Sequence, residues 1–435
     1  MKNKYLFISV IPFFLLVIFG CNSDEINFDN ITIESQDTLL LGEEPYIVIE
    51  NLPVNKKFKI DVSLYTEGIL WNSFATFKSN NDGVIDLSIC KPLKGSSYNQ
   101  VDNSGLFWSM QKVTSSEDNK RFLKRTDSLK DEHLYIDMVF EDSIILSKEI
   151  VRVSVDESVS IDTISIDGTD VFLYKGLKGK NNPILITLGG SEGGSFWGNH
   201  ISGALSSIGF YSLSIPYVNV PNQPSTFENI DLKLFENAIS FLREHYPSQK
   251  IIPIGVSRGA ELSLLLSSMF GLDGAIAYCP SNVVWSGYSK YKRVQNNPAW
   301  VIEEKEIPYI NAKISPYGKF SSDHYMYTLE SSKNLPFIEV EKILGPILLI
   351  TGQDDRVWPA NYMSKCIVDR LDSLDFQYEI NHINYKNSGH HIAFPAYYPT
   401  TNYDSFGGDA KNNGHSQINS WKAVQEYLNK LSVKE

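Results

Sequence analysis

Ile251-Ile252-Pro253-Ile254-Gly255-Val256-Ser257-Arg258-Gly259-Ala260-Glu261-Leu262-Ser263-Leu264-Leu265 is the stretch whose reading decides the fold. Its first residues form the short apolar run of a buried strand, and its last ones continue as a helix. Between them stands Gly-x-Ser-x-Gly, the pattern of a sharp strand-to-helix turn that lifts a serine clear of a sheet. The serine's backbone is strained at such a turn. The residues two before and two after crowd it, which is why Gly255 and Gly259 flank Ser257. A glycine-flanked surface serine would need neither the strand before it nor the helix after it.

Working outward, further short apolar runs lie at residues 183–188, 211–215, 274–279 and 346–351, separated by stretches with helical spacing. Residues 232–245 put Leu234, Ala238, Phe241 and Leu242 on one face, as a crossover helix would. Strand alternating with helix predicts a mainly parallel sheet covered on both sides, an α/β-hydrolase fold over residues 163–433. Such a fold takes its acid after a later strand and its histidine after the last, in the order Ser, Asp, His. Gly352-Gln353-Asp354-Asp355 ends the run at 346–351, and Gly389-His390-His391 follows the run at 378–385. Asp355 is the first choice for the acid, with Asp354 as alternative, and His390 is preferred to His391. An oxyanion formed at Ser257 needs amide donors. The backbone N–H of Arg258 should supply one, and Ser191, in the loop Gly189-Gly190-Ser191-Glu192-Gly193-Gly194, the other. That loop lacks the Gly-Lys-Ser/Thr ending of a phosphate cradle.

Residues 31–155 read differently. Ile31 and Ile33, Tyr46 and Val48, then Phe58, Ile60, Val62 and Leu64 alternate with polar neighbours, and the later runs bring the total to seven or eight strands. This predicts an all-β, immunoglobulin-like sandwich over residues 28–157, with the boundary near Asp156-Glu157-Ser158. Residues 281–343 break the strand–helix alternation and hold Trp285, Tyr288, Trp300, Tyr309, Tyr317, Tyr325 and Tyr327. They read as a cap or lid, which suggests an apolar acyl pocket, although such rings also serve lid packing.

The chain's 435 residues allow two or three domains. Lys and Arg number 39 against 51 Asp and Glu, for a net charge of −12, and no basic stripe is present to track phosphates, so nucleic acid is excluded as a partner. Beyond Cys21 stand only Cys90, Cys279 and Cys366, with no CxxC and no histidine at ligand spacing; neither a disulfide framework nor a metal site is indicated. Residues 1–20 begin with Lys2 and Lys4 and continue as an apolar stretch too short for a comfortable membrane span. They predict an export signal. Ile18-Phe19-Gly20-Cys21 resembles a bacterial lipobox, apart from Phe19, where a smaller residue is usual. Cys21 would then carry the lipid of an outer-membrane lipoprotein. Asn22-Ser23-Asp24-Glu25 resembles the short acidic stretch that sends some such proteins to the cell surface.

Taken together, these residues resemble the acyl-CoA thioesterases and bile acid-CoA:amino acid N-acyltransferases. In the amino-terminal half, the likeness rests on Glu50-Asn51-Leu52-Pro53 and on Pro92-Leu93-Lys94-Gly95-Ser96-Ser97-Tyr98 followed by Gly105-Leu106-Phe107-Trp108-Ser109-Met110. In the carboxyl-terminal half it rests on Gly255–Glu261, on Ser281-Asn282-Val283-Val284-Trp285, on Gly352–Asp355 and Gly389-His390, and on Gly407-Gly408 and Trp421. The resemblance implies Ser257 as nucleophile, Asp355 as acid and His390 as base. It also implies hydrolysis rather than transfer to glycine or taurine, because a cysteine nucleophile accompanies transfer in that family. A small-molecule acyl thioester or ester is the expected partner, and no cofactor is expected. An exported chain meets little coenzyme A, so a carboxylester hydrolase or an N-acyltransferase on a non-CoA substrate stands as the alternative, and a non-catalytic surface binding protein as a third.

Overall fold

The computed structural model describes residues 28–66, 69–113, 129, 131–177, 179, 182–288, 297–312, 321–393, 396–401 and 404–432. The export signal, Cys21 and Tyr317 lie outside the described residues.

Eight strands form the main sheet: Ser160–Ile166 (β1), Thr169–Lys175 (β2), Ile184–Leu188 (β3), Tyr211–Ser214 (β4), Ile251–Val256 (β5), Ala275–Tyr278 (β6), Ile347–Gly352 (β7) and Ile380–Tyr385 (β8). Their order across the sheet is β1-β2-β4-β3-β5-β6-β7-β8, antiparallel at β1-β2-β4 and parallel from β4 to β8. β3, β6 and β7 are buried at every position, as strands covered on both faces must be. Pro253, which has no N–H to give, falls where β5 pairs only with β3, before the ladder to β6 begins at Ile254. The sheet starts at Ser160 rather than at residue 163: the first residues of β1 are exposed at the sheet edge, so no apolar pattern marked them.

Helices Phe196–Ser207 (α1), Lys233–His245 (α2), Arg258–Phe270 (α3), Ser322–Ser331 (α4), Ala360–Ser373 (α5) and Ala410–Leu431 (α6) complete the domain. α2 buries Leu234, Phe235, Ala238, Ile239 and Leu242. Its inner face centres on Phe235 and Ile239, so Phe241 is only half-buried at the margin.

The amino-terminal part is a sandwich. One sheet orders Thr38–Leu40, Ser143–Val153, Glu132–Phe140, Lys57–Thr66, Ile69–Lys78 and Gln111–Lys112; the other orders Thr32–Glu34, Val48–Glu50 and Ile85–Asp86. The alternation in Lys57–Thr66 buries Phe58, Ile60, Val62 and Leu64 against the facing sheet. Gly105–Trp108 is one short helical turn that buries Leu106 and Phe107 in this core.

The two halves are joined by the segment after His390. Ala396 and Tyr397 belong to the sandwich core. Buried Arg152 donates from Nη1 to the Tyr397 carbonyl at 3.1 Å and lies 4.2 Å from the Tyr398 ring centre. The Thr401 hydroxyl donates to the Met110 carbonyl at 2.6 Å, and His415 on α6 meets Asp102 of the sandwich at 2.8 Å.

Candidate active site

Ser257 sits between β5 and α3 with φ +55° and ψ −117°, a conformation that costs a residue with a Cβ on the order of 1–3 kcal/mol. The turn is held by the Ser257 N–H, which donates to the Tyr278 carbonyl on β6 at 2.8 Å. A Cβ on Gly255 would stand 2.1 Å from the Gly259 carbonyl oxygen. One on Gly259 would stand 2.2 Å from the carbonyl oxygen of Gly189 and 2.4 Å from that of Leu188. The two glycines therefore let the elbow close on itself and press it against the loop after β3.

The residues expected as acid and base, Asp355 and His390, lie in the turns after β7 and β8. His390 Nδ1 and Asp355 Oδ2 are 2.7 Å apart, and both residues are more than nine-tenths buried. The other Asp355 oxygen accepts from the N–H groups of Val357, at 2.9 Å, and Trp358, at 3.2 Å, so the carboxylate has one orientation. Asp354 points elsewhere: it pairs with Arg356 at 2.9 Å and accepts the Gly408 N–H at 2.8 Å. His391 packs edge-on against Phe406, with ring centres 4.2 Å apart. Gly389 is required before the histidine because a Cβ there would lie 2.1 Å from the Gly407 carbonyl oxygen. Asn413 on α6 accepts the Gly389 N–H at 2.8 Å and donates to the Gly407 carbonyl at 3.1 Å, tying the histidine turn to the last helix.

Ser257 and His390 face one cavity of about 420 Å³. Its wall includes Ser191 and Glu192 from the loop after β3, Phe196 and Trp197 from α1, and Tyr398 and Phe406 from the segment after His390. The sandwich supplies Thr66, Ile69, Trp71 and Glu132. No described residue of 281–343 lines it, so of the two readings of the aromatic insertion, acyl pocket and lid packing, the described residues fit the second. Trp285 and Trp300 pack inward, Trp285 4.7 Å from Tyr325 and Trp300 5.1 Å from Phe227, whereas Tyr288 and Tyr327 are exposed. The Glu192 carboxylate accepts the Gly190 N–H at 2.9 Å. Glu132 accepts from the Thr66 hydroxyl and, at 2.7 Å, from the Tyr398 hydroxyl, so it braces the seam between the two halves.

Three kinds of residue were missed in the sequence. The sandwich contribution to the cavity carries no local signal. Asn413 lies in an amphipathic helix like any other polar residue. Cys279, at the carboxyl end of β6, could have been noticed, because that edge of a parallel sheet is where sites gather. Its backbone is left-handed, with φ +49°, and its sulfur lies within 4.8 Å of ligand atoms of both Asp355 and His390. Burial, then the nearby Asp355 charge, pushes the Cys279 thiol well up, so it stays a protonated neighbour.

Two family models match the chain. The carboxyl-terminal region of BAAT and acyl-CoA thioester hydrolases matches residues 230–433, and the acyl-CoA thioester hydrolase/BAAT amino-terminal region matches residues 42–166. Acyl-coenzyme A thioesterase 1 of Mus musculus is 24% identical over 388 residues, covering 84% of this chain and 87% of its own. Mitochondrial acyl-coenzyme A thioesterase 2 of Rattus norvegicus is 23% identical over 418 residues, covering 89% and 86%. Among solved structures, an α/β hydrolase from a Medee basin deep-sea metagenome library aligns with TM-score 0.38 and 14% identity, over 63% of this chain and 99% of that one. With a sandwich matching one model and a hydrolase domain matching the other, in the same order, the chain belongs to the acyl-CoA thioester hydrolase/BAAT family.

Proposed function

We propose that this protein is a serine hydrolase of acyl thioesters, working through Ser257, His390 and Asp355. The observation that carries this is the His390–Asp355 pair at 2.7 Å, opening with the strained Ser257 onto one cavity. Asp355 holds the His390 proton on Nδ1 and leaves Nε2 to take the proton of the Ser257 hydroxyl. The Ser257 oxygen adds to the acyl carbonyl, and the thiol leaves with the proton that His390 returns, giving an acyl-serine. Water, deprotonated by His390, then releases the acid and restores Ser257. In the tetrahedral steps the oxyanion is met by the Arg258 N–H, which at the first position of α3 has no intrahelical acceptor, and by the loop after β3. Glu192 already takes the Gly190 N–H, which favours Ser191 as the loop's donor.

The lipobox-like junction at Cys21 supports a lipid-anchored protein at the outer membrane, acting on a thioester or ester found outside the cytoplasm. The test is fluorophosphonate labelling of wild type and Ser257→Ala, with acyl-CoA thioesters and p-nitrophenyl esters offered as substrates. Labelling and turnover that both disappear in Ser257→Ala are expected. A folded wild type that neither labels nor turns over any of these substrates refutes the reading.

A further inference from the structure

Arg258 follows the nucleophile, yet its side chain is not offered to the cavity. It is 8% exposed, and its guanidinium forms an ion pair with the fully buried Glu261, Nη1 to Oε2 at 2.9 Å, one helical turn on. Nη2 donates to the carbonyl of Trp285 at 3.0 Å and to that of Ser286 at 3.3 Å. The guanidinium carbon lies 5.0 Å from the Phe227 ring centre and 5.9 Å from that of Trp300. Glu261 Oε1 accepts the Trp300 indole N–H at 2.8 Å and the Trp285 backbone N–H at 3.4 Å. The first turn of α3 is thus bolted to the 281–343 insertion from two sides.

As a source of stability this is a poor arrangement. A cation at the first position of a helix opposes the helix dipole, and a buried ion pair loses much of its attraction to desolvation. Burial pushes the Glu261 carboxyl up to about 7 despite the opposing charge of Arg258 and the two N–H donors. What the pair holds in place is the peptide between Ser257 and Arg258.

We propose that Arg258 and Glu261 are positioning residues for the oxyanion donor: anchored to the Trp285–Ser286 and Trp300 segments, they aim the Arg258 N–H at the oxygen that becomes negative. The Trp285–Ser286 and Trp300 segments then brace the elbow. This inference rests on the serine-hydrolase reading above. It predicts a defect confined to the charged tetrahedral state, because the donor is needed only once the carbonyl oxygen becomes an oxyanion.

The test compares Arg258→Met, Arg258→Lys and Glu261→Gln for kcat, KM, thermal stability and affinity for an alkyl trifluoromethyl ketone, which adds to the serine and places an oxyanion in the hole. Arg258→Met is expected to lose ~10- to 100-fold in kcat and a similar factor in ketone affinity, with KM within about threefold of wild type. Arg258→Lys keeps the charge but not the forked geometry and should recover part of both losses. If Arg258→Met does not fold, Glu261→Gln carries the same test, since the amide oxygen can still accept the Trp300 N–H. Unchanged kcat in a folded variant overturns the inference, and so does a kcat loss without a matching loss of ketone affinity. A wild type that neither turns over substrate nor binds the ketone instead brings down the hydrolase reading.

Discussion

Replacing Asp355 by Asn is the sharpest test of the site, because the structure dictates what the amide must do. Asp355 Oδ1 accepts two backbone N–H groups, from Val357 and Trp358, while Oδ2 meets His390 Nδ1 at 2.7 Å. The Asn side chain must keep its oxygen on the two N–H groups. The reverse orientation would set an NH₂ against two donors in a buried turn, at a cost of about 1–3 kcal/mol for each group left unsatisfied. With the oxygen so placed, the amide NH₂ faces Nδ1, which must then be the unprotonated nitrogen, and the imidazole proton moves to Nε2. The histidine can no longer accept the Ser257 proton. The expected loss is about 10⁴-fold in kcat, or ~5.5 kcal/mol in the barrier, by comparison with the same substitution in a serine protease. KM should move little and the fold should persist, since the isosteric side chain preserves both turn hydrogen bonds. The assay is steady-state turnover of an acyl thioester by wild type, Asp355→Asn and Asp354→Asn. Asp354 has its carboxylate on Arg356 and on the Gly408 N–H, away from His390, so its variant should stay within about fivefold of wild type in kcat. Near-wild-type turnover in Asp355→Asn, with the large loss in Asp354→Asn, refutes the argument.

Three other perturbations follow from the same geometry. Ser257→Gly should abolish turnover and yet raise stability by about 1 kcal/mol, because glycine accepts φ +55° without strain; a lower melting temperature in Ser257→Gly than in Ser257→Ala contradicts this. Trp71→Ala, in the sandwich, should raise KM for long-chain substrates severalfold while leaving kcat for short p-nitrophenyl esters nearly unchanged, since Trp71 lines the cavity without contributing to the triad. Identical chain-length profiles would remove the sandwich from substrate binding. Burial raises the Asp102 carboxyl, but hydrogen bonds from His415, Ser104 and Trp108, together with the His415 charge, outweigh it and hold the group down at about 2. A carboxyl lowered in the folded state adds stability above its unfolded value and loses it as pH falls from about 4 through 2. With part of the pair exposed to solvent, the contribution is about 1–2 kcal/mol. Melting temperatures of wild type and Asp102→Asn should therefore converge across that interval, and parallel curves would show that the pair does not stabilise the junction.

Much of the hydrolase domain was legible because its signals are local. Buried parallel strands read as unbroken apolar runs, and the elbow glycines are demanded by contacts within a few residues of Ser257 and with the adjoining loop. The edge strand β1 was legible only in part, because its exposed residues carry no burial pattern. The part the insertion plays stayed open in the sequence for a related reason. An aromatic-rich insertion looks the same in sequence whether its rings line a cavity or pack on one another, and here Trp285, Tyr325 and Trp300 do the second.

By itself, the sequence determined the strand–elbow–helix, the order of Ser, acid and His, and the division into an all-β and an α/β half, because each follows from spacing along a continuous segment. Only the tertiary structure brought Asp355 rather than Asp354 against His390, placed Thr66, Trp71 and Glu132 on the cavity that Ser257 faces, and packed the Arg258–Glu261 pair against the insertion. The physical reason is that these are contacts between segments far apart in the chain. Whether a carboxylate meets an imidazole or a solvent-exposed arginine depends on which way a turn faces after the sheet has closed and the sandwich has clasped the segment that follows His390.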